Sequence, residues 1–129
     1  MKLREFQSET DSWIRTLHVL QAENVNLKHR LAEVVRNGIS QELLQNLEYY
    51  QNFFLEEDHV LLLFYNDIKK QGSMLRHKSL EEKSIENGIV KKQKQLRQEL
   101  AKVEMMFYKK KSGFYELITA HTNKASKGF

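Results

Sequence analysis

Residues 3–36 read LREFQSETDSWIRTLHVLQAENVNLKHRLAEVVR. Leu3, Thr10, Leu17, Asn24 and Leu31 recur every seventh residue, and Phe6, Trp13, Leu20, Leu27 and Val34 occupy a second position of the same repeat. Alternating steps of three and four place both sets on one side of an α-helix. Sustained over about five heptads, this is the sequence condition for coiled-coil-like packing. Ile14 and Val35 lie beside the seam and widen it, which suits a helix touching two neighbours rather than one. The pattern stops at Asn37-Gly38, where glycine accepts the left-handed conformation that closes a helix.

A second helix begins almost at once. The Ser40 hydroxyl is placed to accept from a free N–H of the first turn, and Ile39 and Leu44 stand where a hydrophobic staple would. So short a connection leaves no room for a crossover, so the first two helices are antiparallel neighbours. Core positions run through Leu43, Leu47, Tyr50, Phe54, Leu61, Tyr65 and Ile68. Leu44, Phe53, Leu55, Leu62, Leu63 and Phe64 cover much of the remaining circumference. Lys69 and Lys70 favour the C-terminal dipole and Gly72 is the expected stop. Residues 72–78 read as a loop, with Met74 and Leu75 placed to plug the end of the bundle.

Ser79-Leu80-Glu81-Glu82 has the form of a capping box. The third helix then follows Ile85, Ile89, Leu96, Leu100, Val103 and Phe107. Gly88 marks a kink or a close helix contact, and Ser112-Gly113 a second interruption. Phe114, Leu117 and Ile118 carry the stripe beyond it as a bent continuation.

The expectation is therefore an all-α, up-down-up antiparallel three-helix bundle. It forms a single domain over 1–121, with helices at about 4–36, 40–71 and 79–120 and a flexible basic tail at 122–129. Folding the chain back about Gly38 sets Trp13 level with Leu61 to Tyr65, and Asn24 level with Asn52 and near Gln51. The second turn brings Ile85 to the Trp13 layer.

Composition agrees. There is no proline, which would break a helix interior, and there are only five glycines. Cysteine is absent, which excludes disulfides, thiolate chemistry and Cys-based zinc sites. No apolar leader follows the first lysine, and the longest apolar run, Val60 to Tyr65, falls far short of the roughly 20 residues that span a bilayer. A soluble, cytoplasmic protein without a membrane segment is expected. The net charge of +4 is unevenly spread: residues 37–72 are acidic and residues 73–129 strongly basic. The two can complement each other within the fold or meet different partners.

Candidate chemistry is sparse. Glu56 and His59 have the Glu-x-x-His spacing of di-iron bundles, but no second pair exists, so a polar stretch of helix with Asp58 at a core edge is the plainer expectation. The histidines do not converge, and no serine has a readable base partner. There is no glycine-rich phosphate loop. No catalytic residue, metal site or cofactor is expected. Three other features carry more. Asn24 sits in the seam, where one buried asparagine can fix register or oligomer state. Lys91, Lys94, Lys102, Lys109, Lys110 and Lys111 form a basic patch that could follow phosphates or an acidic protein surface. The aromatic doublets put one ring inward and leave its neighbour on a flank. Tyr49, Phe53, Leu62, Leu63, Met105, Met106 and Tyr108 then become a candidate self-association surface.

The stretch from Trp13 to Val35 resembles segments of uncharacterised bacterial helical proteins. The three-helix plan is similar to spectrin-type repeats, which also place a tryptophan early in the first helix. The Phe6–Trp13 spacing and the lack of a second tryptophan depart from that pattern. The resemblance implies architecture and no site. The function expected is a non-enzymatic protein-interaction or scaffold module that forms a homodimer. Nucleic-acid association through the basic third helix is the alternative.

Overall fold

The computed structural model describes residues 3–77 and 83–127, with side chains placed for 3–76 and 87–121. Three long helices account for these segments: α1 (Leu3–Arg36), α2 (Gln41–His77) and α3 (Lys83–Lys127). They form an antiparallel three-helix bundle.

The first seam is buried as its spacing predicts. Thr10, Trp13, Leu17, Leu20, Asn24, Leu27, Leu31 and Val34 all face the interior, while Leu3 and Phe6 at the open end are half-buried. Against them lie Leu43, Leu47, Phe54, Leu61 and Ile68 of α2 and Leu96, Leu100, Phe107, Phe114 and Ile118 of α3. Burying each such side chain contributes roughly 1.5–3 kcal/mol. Trp13 lies in one core with Leu61 and half-buried Phe64; the Ile85 side chain expected beside them falls outside the described residues.

The first turn is built as its residues suggest. Gly38 has a φ of 81°, and its N–H donates to the Val35 carbonyl. The Leu43 N–H donates to the Ser40 hydroxyl at 3.1 Å, which is the expected N-cap. α1 and α2 approach each other closely along their length, and α3 lies further from both. The interlocked rings of Tyr50, Phe54 and Phe114, with centroids 5.4–6.3 Å apart, stand between α2 and α3 and hold the axes apart.

Four expectations are corrected. α2 does not stop at Gly72 but runs to His77, so Met74 and Leu75 belong to the helix rather than to a loop. Glycine costs a helix about 1 kcal/mol. Here that cost is offset by the burial of Leu75, whose carbonyl also accepts from the Gln7 amide. α3 is one helix through both Gly88 and Gly113, in keeping with the continuation expected beyond Ser112-Gly113, and it stays helical through Lys127, past the expected fray at Thr122. Gly88 faces open space, so no close helix contact requires it. Gly113 does have such a contact, because a Cβ there would stand 2.5 Å from the Tyr50 hydroxyl. The capping box at Ser79–Glu82 lies outside the described residues.

The register is the fourth correction. Asn24 meets the Phe54 carbonyl and Asp58 instead of Asn52 and Gln51. Side chains on a helix lean toward its N-terminus, so in an antiparallel pair the contacting residues have higher numbers than backbone level alone implies.

Candidate functional site

Heptad positions filled by polar residues produce two polar layers inside the bundle. The first ties all three helices together near the open end of α1. The Gln71 amide of α2 donates to the Ile89 carbonyl and to Gln93 Oε1, both at 3.0 Å. The Gln93 amide of α3 donates to the Phe6 carbonyl and to Glu9 Oε1, and Glu9 in turn accepts two bonds from Arg97 at 2.6 and 2.7 Å. The Arg97 hydrogen bonds hold the Glu9 carboxyl below its ordinary value, against the opposing effect of burial. Each donor meets an acceptor, so this layer fixes register.

The second layer surrounds Asn24, which is fully buried. Its amide donates to the Phe54 carbonyl at 2.9 Å and to Asp58 Oδ1 at 2.8 Å, while Lys28 closes on the other Asp58 oxygen at 2.5 Å. Asn24 Oδ1 and Glu23 Oε2 are buried without a hydrogen-bond partner among the described residues. Lys111 donates to Glu23 Oε1 at 2.9 Å, and that bond raises the lysine above its ordinary value. One seam position further along α2 lies Glu57, only 5% exposed. Burial first, and the adjacent Asp58 carboxylate second, push its carboxyl up to about 7.

Within the Glu56–His59 cluster the inward residue is thus Glu57, while Glu56, Asp58 and His59 are exposed. No group of three or more histidine, aspartate and glutamate side chains among the described residues could hold a metal ion. His18 stacks on Tyr65 at 5.9 Å. A surface depression of about 750 Å³ is lined from α3 alone and lacks an opposite wall. Among the described residues no helix is long and apolar enough to cross a membrane.

The basic patch divides. Lys91, Lys94, Lys102 and Lys109 are exposed on the outer face of α3. Lys110 instead folds over the Tyr49 ring at 4.6 Å and the Phe53 ring at 5.7 Å, donating to the Tyr49 hydroxyl. Lys111 turns the other way, toward Glu23 and Tyr108 on the α1 side.

The candidate association residues divide as well. Phe54, Phe107 and Phe114 are the inward rings of their doublets, and Tyr49, Tyr108 and Tyr115 the exposed ones. Phe53 is half-buried against the core. Tyr49 and Phe53 flank the α2–α3 seam under Lys110, whereas Tyr108 lies by Glu23 at the α1–α3 seam. Leu62 is two turns from Leu55 on the α1 side of α2. Leu63, Met105 and Met106 are 60%, 66% and 42% exposed. Tyr49 and Phe53 thus lie at a different seam from Tyr108.

Glu57, Gln71 and Gln93 are the interior groups that the apolar pattern passes over. Their signal is positional: Glu57 falls between Phe54 and Leu61, and Gln93 between Ile89 and Leu96, at the three-and-four spacing of the seam. No family model, curated protein or solved structure matches the chain.

Proposed function

We propose that this chain is a non-enzymatic helical-bundle module that works by protein–protein contact and associates with itself. The observation that carries this is the apolar surface left over once the core is filled. Twelve large apolar side chains on the described residues are 38% exposed or more, and two of them, Val35 and Leu55, line one groove between α1 and α2. A soluble monomer seldom leaves a contiguous apolar patch much above roughly 300–600 Å² uncovered, and closed twofold pairing is the commonest way to cover one. The interior polar groups, by contrast, serve mainly one another. Light scattering at micromolar concentration is the test: a single species of 15.4 kDa, the mass of one chain, removes self-association from the proposal.

One observation favours a second reading. Lys91, Lys94, Lys102 and Lys109 form no ion pair among the described residues and extend along about 27 Å of one helix face. Such a row matches the backbone of a nucleic acid, bound without sequence preference. Binding of a fluorescent duplex that collapses between 50 and 200 mM salt would support it.

A further inference from the structure

We infer that the groove between α1 and α2 is the seat of a second copy of this chain, related by a twofold axis that runs along the helices. The inference rests on the self-association reading and specifies its surface and geometry.

The three outer seams of the bundle differ. The α1–α3 seam is crossed by the Glu9–Arg97 and Glu23–Lys111 ion pairs. The α2–α3 seam is roofed where Lys110 lies over Tyr49 and Phe53. The α1–α2 seam is crossed by the Lys28–Asp58 ion pair, and between that pair and the first turn it opens into a groove of about 410 Å³, with Leu31, Val35, Leu44 and Leu55 in its lining. Val35 and Leu55 remain 38% and 54% exposed, and Leu62, half-exposed, lies one heptad beyond Leu55 on the far side of the Lys28–Asp58 pair.

The edges of this groove are charged, and with opposite signs. Arg36 stands on the α1 edge and Glu48 on the α2 edge. Neither forms an ion pair among the described residues. Contacts such as Gln7 with the Leu75 carbonyl and Lys28 with Asp58 set the α1–α2 register, and in that register Arg36 and Glu48 are level across the groove. A twofold axis along the helices keeps each residue at its own level and exchanges the two edges. It therefore sets Arg36 of each copy on Glu48 of the other, twice, over a shared apolar floor. The alternative axis, across the helices, lays each basic α1 edge on another and each acidic α2 edge on another, which like-charge repulsion disfavours.

Either axis makes every neighbouring pair antiparallel in the resulting four-helix contact, so helix dipoles alternate in both and the charged edges decide between them. The α1–α2 face is about 50 Å by 20 Å, roughly 1,000 Å². That is room for the ~800 Å² per partner of a standard interface.

The test is the mass of the full chain by sedimentation velocity at micromolar concentration, with helicity monitored by circular dichroism. The wild type is expected at twice 15.4 kDa. Arg36→Glu alone and Glu48→Arg alone should each halve that mass, and an equimolar mixture of the two should restore it, because their edges are complementary again. Leu55→Asp should give the single-chain mass, while Leu63→Asp and Met105→Asp remain dimeric. A wild type of single-chain mass overturns both the inference and the self-association reading. A dimer that survives Leu55→Asp and both charge changes, but is lost with Leu63→Asp or Met105→Asp, overturns the groove and its axis alone.

Discussion

Replacing Glu57 by glutamine should stabilise the protein above pH 7 and leave it almost unchanged near pH 4. The residue lies on the buried seam of α2 between Phe54 and Leu61 and is 5% exposed. Its folded-state value of about 7 stands above the ordinary 4.5, chiefly because burial penalises the charged form and secondarily because Asp58 adds a like charge. Below 4.5 the carboxyl is neutral in both folded and unfolded chains, and its contribution is fully present. Between 4.5 and 7 the unfolded chain gives up the proton while the folded chain keeps it, so stability falls as pH rises. Above 7 the folded protein must hold a buried carboxylate, and the contribution has been lost. At 1.36 kcal/mol per unit, the span from 4.5 to about 7 corresponds to about 3 kcal/mol. Glutamine has nearly the same shape and never ionises. Urea unfolding of both proteins from pH 4 to 8.5, at one fixed protein concentration, isolates the difference, because the other carboxylates are common to both. The gap should open from near zero at pH 4 to about 3 kcal/mol at pH 8. Parallel curves would show that Glu57 is solvated. A glutamine variant less stable than wild type at pH 8 would show that the carboxylate is charged and paired.

Further outcomes follow from the packing. Gly113→Ala should destabilise despite alanine's better helix propensity, because its Cβ meets the Tyr50 hydroxyl at 2.5 Å; in a Tyr50→Phe background the same change should gain up to about 1 kcal/mol, and thermal melts of the single and double variants separate the two effects. Gly88→Ala faces open space and should stabilise by about 0.5–1 kcal/mol in the same melts. Trp13→Ala should cost about 3–5 kcal/mol by denaturant titration, and the wild-type tryptophan should emit at short wavelength; a water-like emission maximum would contradict its burial. Asn24→Leu should raise the melting temperature, since it removes a buried carbonyl oxygen that has no partner, while relaxing the α1–α2 register; a less stable variant with an equally sharp amide spectrum would deny Asn24 a role in specificity.

The fold was largely legible because helix periodicity is a local property. The first seam, the Gly38 stop and the Ser40 cap each depend on a few adjacent residues, and each is found as its chemistry requires. Ends that depend on remote contacts were not legible. The passage of α2 through Gly72 is decided by the burial of Leu75, and the tolerance of Gly113 by a ring from α2. The candidate surfaces were legible as residue types and not as places. Lys109, Lys110 and Lys111 are adjacent in sequence, yet successive residues on a helix turn by about 100°, so one stays exposed, one covers Tyr49 and one pairs with Glu23.

The sequence by itself determined three antiparallel helices, the seam of the first, and a surplus of apolar side chains over what one bundle can bury. Spacing, capping residues and a short connection suffice for these. Only the tertiary structure decided which polar seam residues share a layer. Asn24 with Asp58, and Gln71 with Gln93 and Glu9, meet because two helices slide to the register at which leaning side chains interlock. Only the tertiary structure decided that Glu57 is shut away from water, and that the α1–α2 seam stays open between the Lys28–Asp58 pair and the first turn. Burial is a property of what the neighbouring helices bring, and no local pattern contains it.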